Sequence, residues 1–127
     1  MNLFSLKGRL ALITGSGRGL GLRFAEALAE AGAEVIINDV DTTRAETAAG
    51  NLRAKGYTAH TAIFNVTDQA AVRAGVQQLE KSAGPVDILI NNAGIHRYGA
   101  LLELDFAKWQ EVLDVNLTGA FLTSKAV

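Results

Sequence analysis

The chain has 127 residues, 49% of them hydrophobic and 20% charged, with a formal net charge of −1 and no cysteine. Its length suits one domain with a buried core; the near-balanced charge gives no basic face for nucleic acid or anionic membranes, and the lack of thiols excludes disulfides and thiolate zinc sites. No stretch reaches membrane-spanning length, and residues 1–8 lack a charged start followed by a long apolar run, so a cytoplasmic protein is expected.

The first apolar run, Arg9-Leu10-Ala11-Leu12-Ile13, suits a buried parallel strand. It leads into Thr14-Gly15-Ser16-Gly17-Arg18-Gly19-Leu20-Gly21, after which Leu20, Phe24 and Leu28 recur at helical spacing through Glu30. Gly32 is placed to close that helix. Strand, glycine turn and helix together make a phosphate site. The first N–H groups of a helix have no internal partner, the helix dipole favours an anion by about 0.3–2 kcal/mol, and side chains on the turn would hold a pyrophosphate off. Gly15, Gly17, Arg18, Gly19, Leu20 and Gly21 are therefore candidate cofactor-binding residues. The turn is not G-x-G-x-x-G, because Leu20 and Leu22 stand where its last glycine falls, and it is not a P-loop, because no Gly-Lys-Ser/Thr follows.

Val35-Ile36-Ile37-Asn38 reads as a second strand with Asp39 at its end. In a doubly wound sheet that position lies beside the adenosine ribose of a dinucleotide, where a carboxylate accepts hydrogen bonds from both hydroxyls. The next helix has a capping box in Thr43 and Glu46 and an end at Gly56, and its Arg44, Glu46, Arg53 and Lys55 read as a solvated face. Thr58 to Val66 is rich in β-branched and apolar residues and reads as a third strand ending at Asn65. Thr67 or Asp68 caps a third helix whose Ala71, Val72, Val76 and Leu79 form an apolar stripe, stopped by Gly84-Pro85. Val86-Asp87-Ile88-Leu89-Ile90 is the fourth strand, running into Asn91-Asn92-Ala93-Gly94. Phe106, Trp109, Val112, Leu113, Asn116, Leu117, Ala120 and Phe121 fall on one face of a long amphipathic helix with no terminator before Val127. This alternation predicts an α/β fold with a doubly wound parallel sheet and right-handed crossovers.

The pattern T-G-x-x-x-G-x-G at Thr14 to Gly21, with Asn91-Asn92-Ala93-Gly94, Asn116 within Val115-Asn116-Leu117-Thr118-Gly119, and Ser5-Leu6-Lys7-Gly8-Arg9, resembles the short-chain dehydrogenase/reductase family over essentially the whole chain. Within it, Phe4-Ser5-Leu6, Ile37-Asn38-Asp39 and Phe64-Asn65-Val66-Thr67 look most like gluconate 5-dehydrogenases. The resemblance implies a Rossmann-type NAD(P)-binding fold and hydride transfer between nicotinamide and an alcohol or carbonyl compound, such as gluconate or 5-ketogluconate. It further implies that Asn65 and Val66 lie at the adenine, that Asn92, Ala93 and Gly94 line the cofactor cleft, and that Asn116 is the catalytic helix asparagine of a proton relay. It also implies a homo-oligomer, dimer or tetramer, when complete, with Trp109 in the core or on the helix where relatives pair.

The family's acid–base pair is a tyrosine with a lysine four residues later, with a serine upstream. Here the tyrosines are Tyr57 and Tyr98, and four residues on stand Thr61 and Leu102. Moving the hydroxyl proton needs a positioned acid or base, so residues 1–127 are expected to be the amino-terminal, cofactor-binding part of the domain without its catalytic part, and inactive alone. Four strands in the order 3-2-1-4 leave the fourth as an exposed edge. The alternative reading is a non-catalytic dinucleotide-binding module that pairs with another chain.

Asp39 beside the 2′-phosphate of NADP repels it by about 1–4 kcal/mol at 4 Å, which favours NAD, whereas Arg18 attracts the same phosphate and keeps NADP open. His96 and Arg97 lie in a loop expected to border the substrate, where Arg97 either holds a carboxylate or is solvated. His96 has no second histidine at ligand spacing, so no metal site is expected.

Overall fold

The computed structural model describes residues 2–127. Four parallel strands, β1 (Leu10–Ile13), β2 (Glu34–Asp39), β3 (Ala59–Ile63) and β4 (Ile88–Ile90), form one sheet in the order β3-β2-β1-β4. Helices α1 (Gly19–Glu30), α2 (Thr42–Ala54) and α3 (Gln69–Ala83) connect them, and α4 (Phe106–Leu113), a π-helical turn (Asp114–Thr118) and α5 (Gly119–Ala126) complete the chain.

Alternation along the strands divides the core into two layers. Ala11, Ile13, Val35 and Ile37 pack under the alanine-rich faces of α1 and α2, where Ala25, Ala29, Ala45, Ala48 and Ala49 let the helices approach the sheet. Leu10, Leu12 and Ile36 face the other way, onto Val72, Val76 and Leu79 of α3, with Phe64 and Val66 beside them. Registers Leu12↔Ile36 and Leu12↔Leu89 align the carboxyl ends of β1, β2 and β4, so their exit loops share one rim.

Several local expectations change. α2 is capped by Asp41, whose side chain accepts the Arg44 N–H at 2.9 Å, and not by a Thr43–Glu46 box; Glu46 instead accepts from Thr61 Oγ1 at 2.7 Å. Asp68 caps α3, one of the two expected candidates. β3 stops at Ile63, before Asn65, because the chain bends away: Asp68 N–H donates to the Asn65 carbonyl and Thr67 N–H to Asn65 Oδ1, both at 3.0 Å.

The last helix is not one continuous α-helix. The π turn inserts between α4 and α5 and rotates the face that follows it. The expected apolar stripe is not the buried one on either side of that turn: Phe106, 73% exposed, and Trp109 face outward before it, and Phe121, 62% exposed, after it, while Gly119 and Thr123 are the buried positions. β4 closes one end of the sheet with Ile88, Leu89 and Ile90 half-buried. Among the described residues, no helix is long and apolar enough to cross a membrane.

Candidate functional site: a cleft along the strand exits

The glycine turn is fixed by side chains from two neighbouring strand exits. From the β2 side, Gly15 N–H donates to Asn38 Oδ1 at 3.1 Å, Ser16 N–H donates to the Asn38 carbonyl at 2.8 Å, and Asn38 N–H donates to Ser16 Oγ at 3.1 Å. The buried Asn38 then reaches across, its Nδ2 donating to the Ala62 and Phe64 carbonyls at 3.0 and 3.2 Å, so the turn is tied to the exit of β3 as well. From the β4 side, Asn92 Nδ2 donates to the Thr14 and Gly15 carbonyls at 3.0 and 3.2 Å.

Three of the four glycines of the turn each have their own physical reason. A Cβ on Gly17 would collide with Asp39 Oδ2 and come within 3.0 Å of Arg44 Cγ, so its missing side chain makes room for those two residues. A Cβ on Gly21 would strike the Asn92 amide and lie 2.7 Å from the Gly15 carbonyl. Gly19 meets nothing but sits at φ +61°, a conformation that side chains disfavour. The start of α1 is also distinct: α2, α3 and α4 are capped by Asp41, Asp68 and Asp105, whereas Arg18 at the N-cap of α1 makes no side-chain cap. First-turn N–H groups without a cap suit a bound anion.

A cleft of about 320 Å³ runs along the strand exits. It is lined by Gly15 and Arg18 from the turn, Asp39 from β2, Asn65 and Val66 after β3, and Asn92, Ala93 and Gly94 after β4, which brings together eight of the expected cofactor residues. Gly17, Gly19, Leu20 and Gly21 shape the turn without lining the cleft. The exit loop of β4 is held in turn by α5 and the π turn. Asn91 Nδ2 donates to Ser124 Oγ at 3.0 Å, and the Asn116 amide accepts from Ile95 N–H and donates to the Ile95 carbonyl, each at 2.8 Å. The π turn is what brings Asn116 to that loop.

Asp39, expected beside the ribose, already has partners within the chain. Arg44 grips it with two bonds, Nε to Oδ2 at 2.9 Å and Nη2 to Oδ1 at 2.8 Å, and Asp41 N–H donates to Oδ1 at 3.0 Å. Burial pushes the Asp39 carboxyl up, but the hydrogen bonds and charge of Arg44, with the Asp41 and Val40 N–H groups, outweigh it and hold the group below its ordinary value. Arg44 thus belongs to the cleft and not to a solvated face. Glu46, Arg53 and Lys55 do form the exposed face expected of them, with Arg53 Nε donating to the Ala59 carbonyl and Lys55 pairing with Glu26 at 2.7 Å. Arg44 and Glu111 line the cleft without any motif to announce them, and Asn38, Phe64 and Val115 line it from stretches that carry the resemblance but assign them no role. The one local hint was Arg44, five residues beyond an acid at a strand end.

The expected substrate residues sit outside the lining. Arg97 donates from Nη2 to Glu111 Oε1 at 2.8 Å, and Glu111 itself lines the cleft. The His96 ring packs edge-on against Tyr98, centroids 4.9 Å apart, and both are exposed.

A parallel sheet in this strand order, with the glycine turn and cleft at the carboxyl ends, is the Rossmann-type α/β arrangement of nucleotide-binding enzymes. The sequence model of the short chain dehydrogenase family matches residues 9–127, and the chain belongs to that family, whose cofactor is NAD(P). It is 44% identical over 126 residues to gluconate 5-dehydrogenase of Gluconobacter oxydans (strain 621H), covering 99% of this chain and 49% of that one. It is 45% identical to 5-keto-D-gluconate 5-reductase of Escherichia coli (strain K12), covering 99% and 50%. A crystal structure of a gluconate 5-dehydrogenase from Burkholderia cenocepacia J2315 in complex with NADP and tartrate is 47% identical and superimposes with a TM-score of 0.94, over 98% of this chain and 49% of that one. The chain spans about half the length of the relatives it matches.

Proposed function

We propose that residues 1–127 are the amino-terminal, dinucleotide-binding part of an NADP(H)-dependent oxidoreductase acting on a sugar acid of the gluconate or 5-ketogluconate kind. The observation that carries this reading is the single cleft in which the glycine turn and the exits of β2, β3 and β4 meet. At its edge the first-turn N–H groups of α1 receive the pyrophosphate, and within it Asn65 and Val66 border the adenine and Asn92, Ala93 and Gly94 border the nicotinamide end. The bound dinucleotide supplies hydride exchange at its nicotinamide; the chain's own residues position it and exclude water. Asn116 holds Ile95 in place and serves the proton relay, and Arg97, released from Glu111, receives the substrate carboxylate.

NADP(H) replaces the preference for NAD that came from weighing Asp39 against Arg18. The carboxylate that would repel a 2′-phosphate is already paired with Arg44, and among the described residues the Arg18 guanidinium makes no hydrogen bond. The NADP-bound relative supports the same choice. The outward-facing Phe106, Trp109, Leu117 and Phe121 support a homo-oligomer as the working form.

The test uses the protein at its full coding length. Gluconate oxidation with NADP+ should exceed that with NAD+ at equal concentrations, and NADPH should bind more tightly than NADH. Tighter NADH binding would remove the NADP reading, and no turnover of any sugar acid would remove the substrate reading. Because residues 1–127 lack a Tyr-x-x-x-Lys, they alone should show no turnover. The same feature favours the second reading, a binding module that works only with another chain, which predicts stoichiometric dinucleotide binding without turnover at full coding length.

A further inference from the structure

We infer that Arg44 is a specificity-determining residue that sets the choice between the two dinucleotides by cancelling the charge of Asp39. The inference rests on the dinucleotide reading above and extends it to a residue outside the glycine turn. Asp39 is the acid that should reward a free ribose 2′-hydroxyl and repel a 2′-phosphate. Both its oxygens are taken by one guanidinium, at 2.9 and 2.8 Å, and the Asp41 N–H takes a further lone pair at 3.0 Å. The side chain of Asp39 is only 6% exposed, that of Arg44 31%, so the pair is a fixed part of the cleft wall.

The surroundings are built for this pair. Gly17 is the residue whose Cβ would collide with Asp39 Oδ2 and press on Arg44 Cγ at 3.0 Å, so any side chain there would dislodge it. Asp41 places Arg44 by capping α2 through the Arg44 N–H at 2.9 Å, which sets the arginine in the first turn facing back to the end of β2. Arg44 Nη1 makes no hydrogen bond among the described residues, and Arg18 lines the same cleft. With Asp39 and Arg44 cancelling, the Arg18 guanidinium on the same cleft is left to attract a 2′-phosphate, opposed by the Asp41 carboxylate at the N-cap of α2. A lysine could match only one of the two Asp39 contacts, since its ammonium is a point charge and not a planar fork.

The experiment measures the ratio of dissociation constants for NADPH and NADH by titration of nicotinamide fluorescence, on the protein at full coding length. Both constants come from one preparation, so the folded fraction does not affect their ratio. Arg44→Gln should shift the ratio at least tenfold toward NADH. Asp39→Asn combined with Arg44→Gln should return it to within about threefold of the wild type, because the charge that Arg44 cancels is then gone, and Arg44→Lys should stay within that range as well. An unchanged ratio in Arg44→Gln overturns the inference, and so does a shift that Asp39→Asn fails to reverse. If the wild type itself favours NADH, the NADP reading above fails, while the shift on Arg44→Gln still reports on Arg44.

Discussion

Thr14 and Asn92, 78 residues apart, close the glycine turn onto the exit of β4 by two bonds, both donated by Asn92: its Nδ2 to the Thr14 carbonyl and its backbone N–H to Thr14 Oγ1, each at 3.0 Å. Ala93 N–H donates to the same hydroxyl oxygen at 3.0 Å. One threonine therefore satisfies two backbone donors of the segment that borders the cleft, and it does so at 1% exposure. Thr14→Val keeps the shape and removes the acceptor. Asn92 N–H keeps its bond to the Ile90 carbonyl, but Ala93 N–H is left without a partner, at a cost of about 1–3 kcal/mol, so the variant should lose about that much in urea unfolding and bind dinucleotide more weakly, while Thr14→Ser should recover most of both. Equal stability of the valine variant and the wild type would show that the Ala93 N–H finds another partner.

Asp39 predicts a direction for the response to acid. Its carboxyl is held below its ordinary value in the folded chain, so its contribution to stability is full above the unfolded value of about 4 and is lost as the pH falls through the folded value. Asp39→Asn should accordingly lower stability by a constant amount from pH 8 to about pH 5, and the gap should narrow as the pH drops below about 4. Urea midpoints at a series of pH values give the comparison. A gap that stays constant to the lowest pH would mean that the ion pair is not its source.

What was legible in the sequence was local. The turn from Thr14 to Gly21, the strand runs and the Asp68 cap each lie within a few residues of one another, and a short window contains the whole physical cause. The rest depends on partners far away in the chain. Asn38 looks like the end of an apolar run until β3 supplies the Ala62 and Phe64 carbonyls for its amide, and Arg44 looks solvated until the end of β2 turns Asp39 toward it. The π turn had no signal at all in the heptad-like spacing of Phe106 to Phe121, because it answers to the Ile95 backbone and to Val66, not to its own helix. Gly17 and Gly21 also make room for side chains of other elements, contacts that no turn motif describes.

The cap of α2 separates two readings that a short window cannot. Thr43 begins a T-x-x-E pattern, yet it is Asp41 that accepts the Arg44 N–H at 2.9 Å. Asp41→Ala should cost about 0.5–2 kcal/mol, measured by thermal or urea unfolding, and should also weaken NADPH binding by loosening the first turn that carries Arg44. Thr43→Ala should be close to neutral in both assays. A larger loss from the threonine than from the aspartate would restore the capping box.

Gly119 gives the sharpest test of how α5 meets the cleft. The residue is buried, and a Cβ there would lie 2.6 Å from Val66 Cγ2 and 3.0 Å from Val66 Cβ, closer than packed carbons tolerate. Helix propensity alone argues that Gly119→Ala should stabilise α5 by about 1 kcal/mol. Overpacking argues the opposite, at about 1–3 kcal/mol, and should win because Val66 is β-branched, 6% exposed and backed by the α3 core, with little freedom to move. Gly119→Ala should therefore lower the melting temperature. Since Val66 also lines the cleft, dinucleotide binding should weaken in the same variant. Val66→Ala opens the space that the new methyl needs, so the double variant should lose less stability than the two single losses added together. A rise in melting temperature for Gly119→Ala would mean that propensity outweighs the contact and that α5 can draw back from Val66 at little cost.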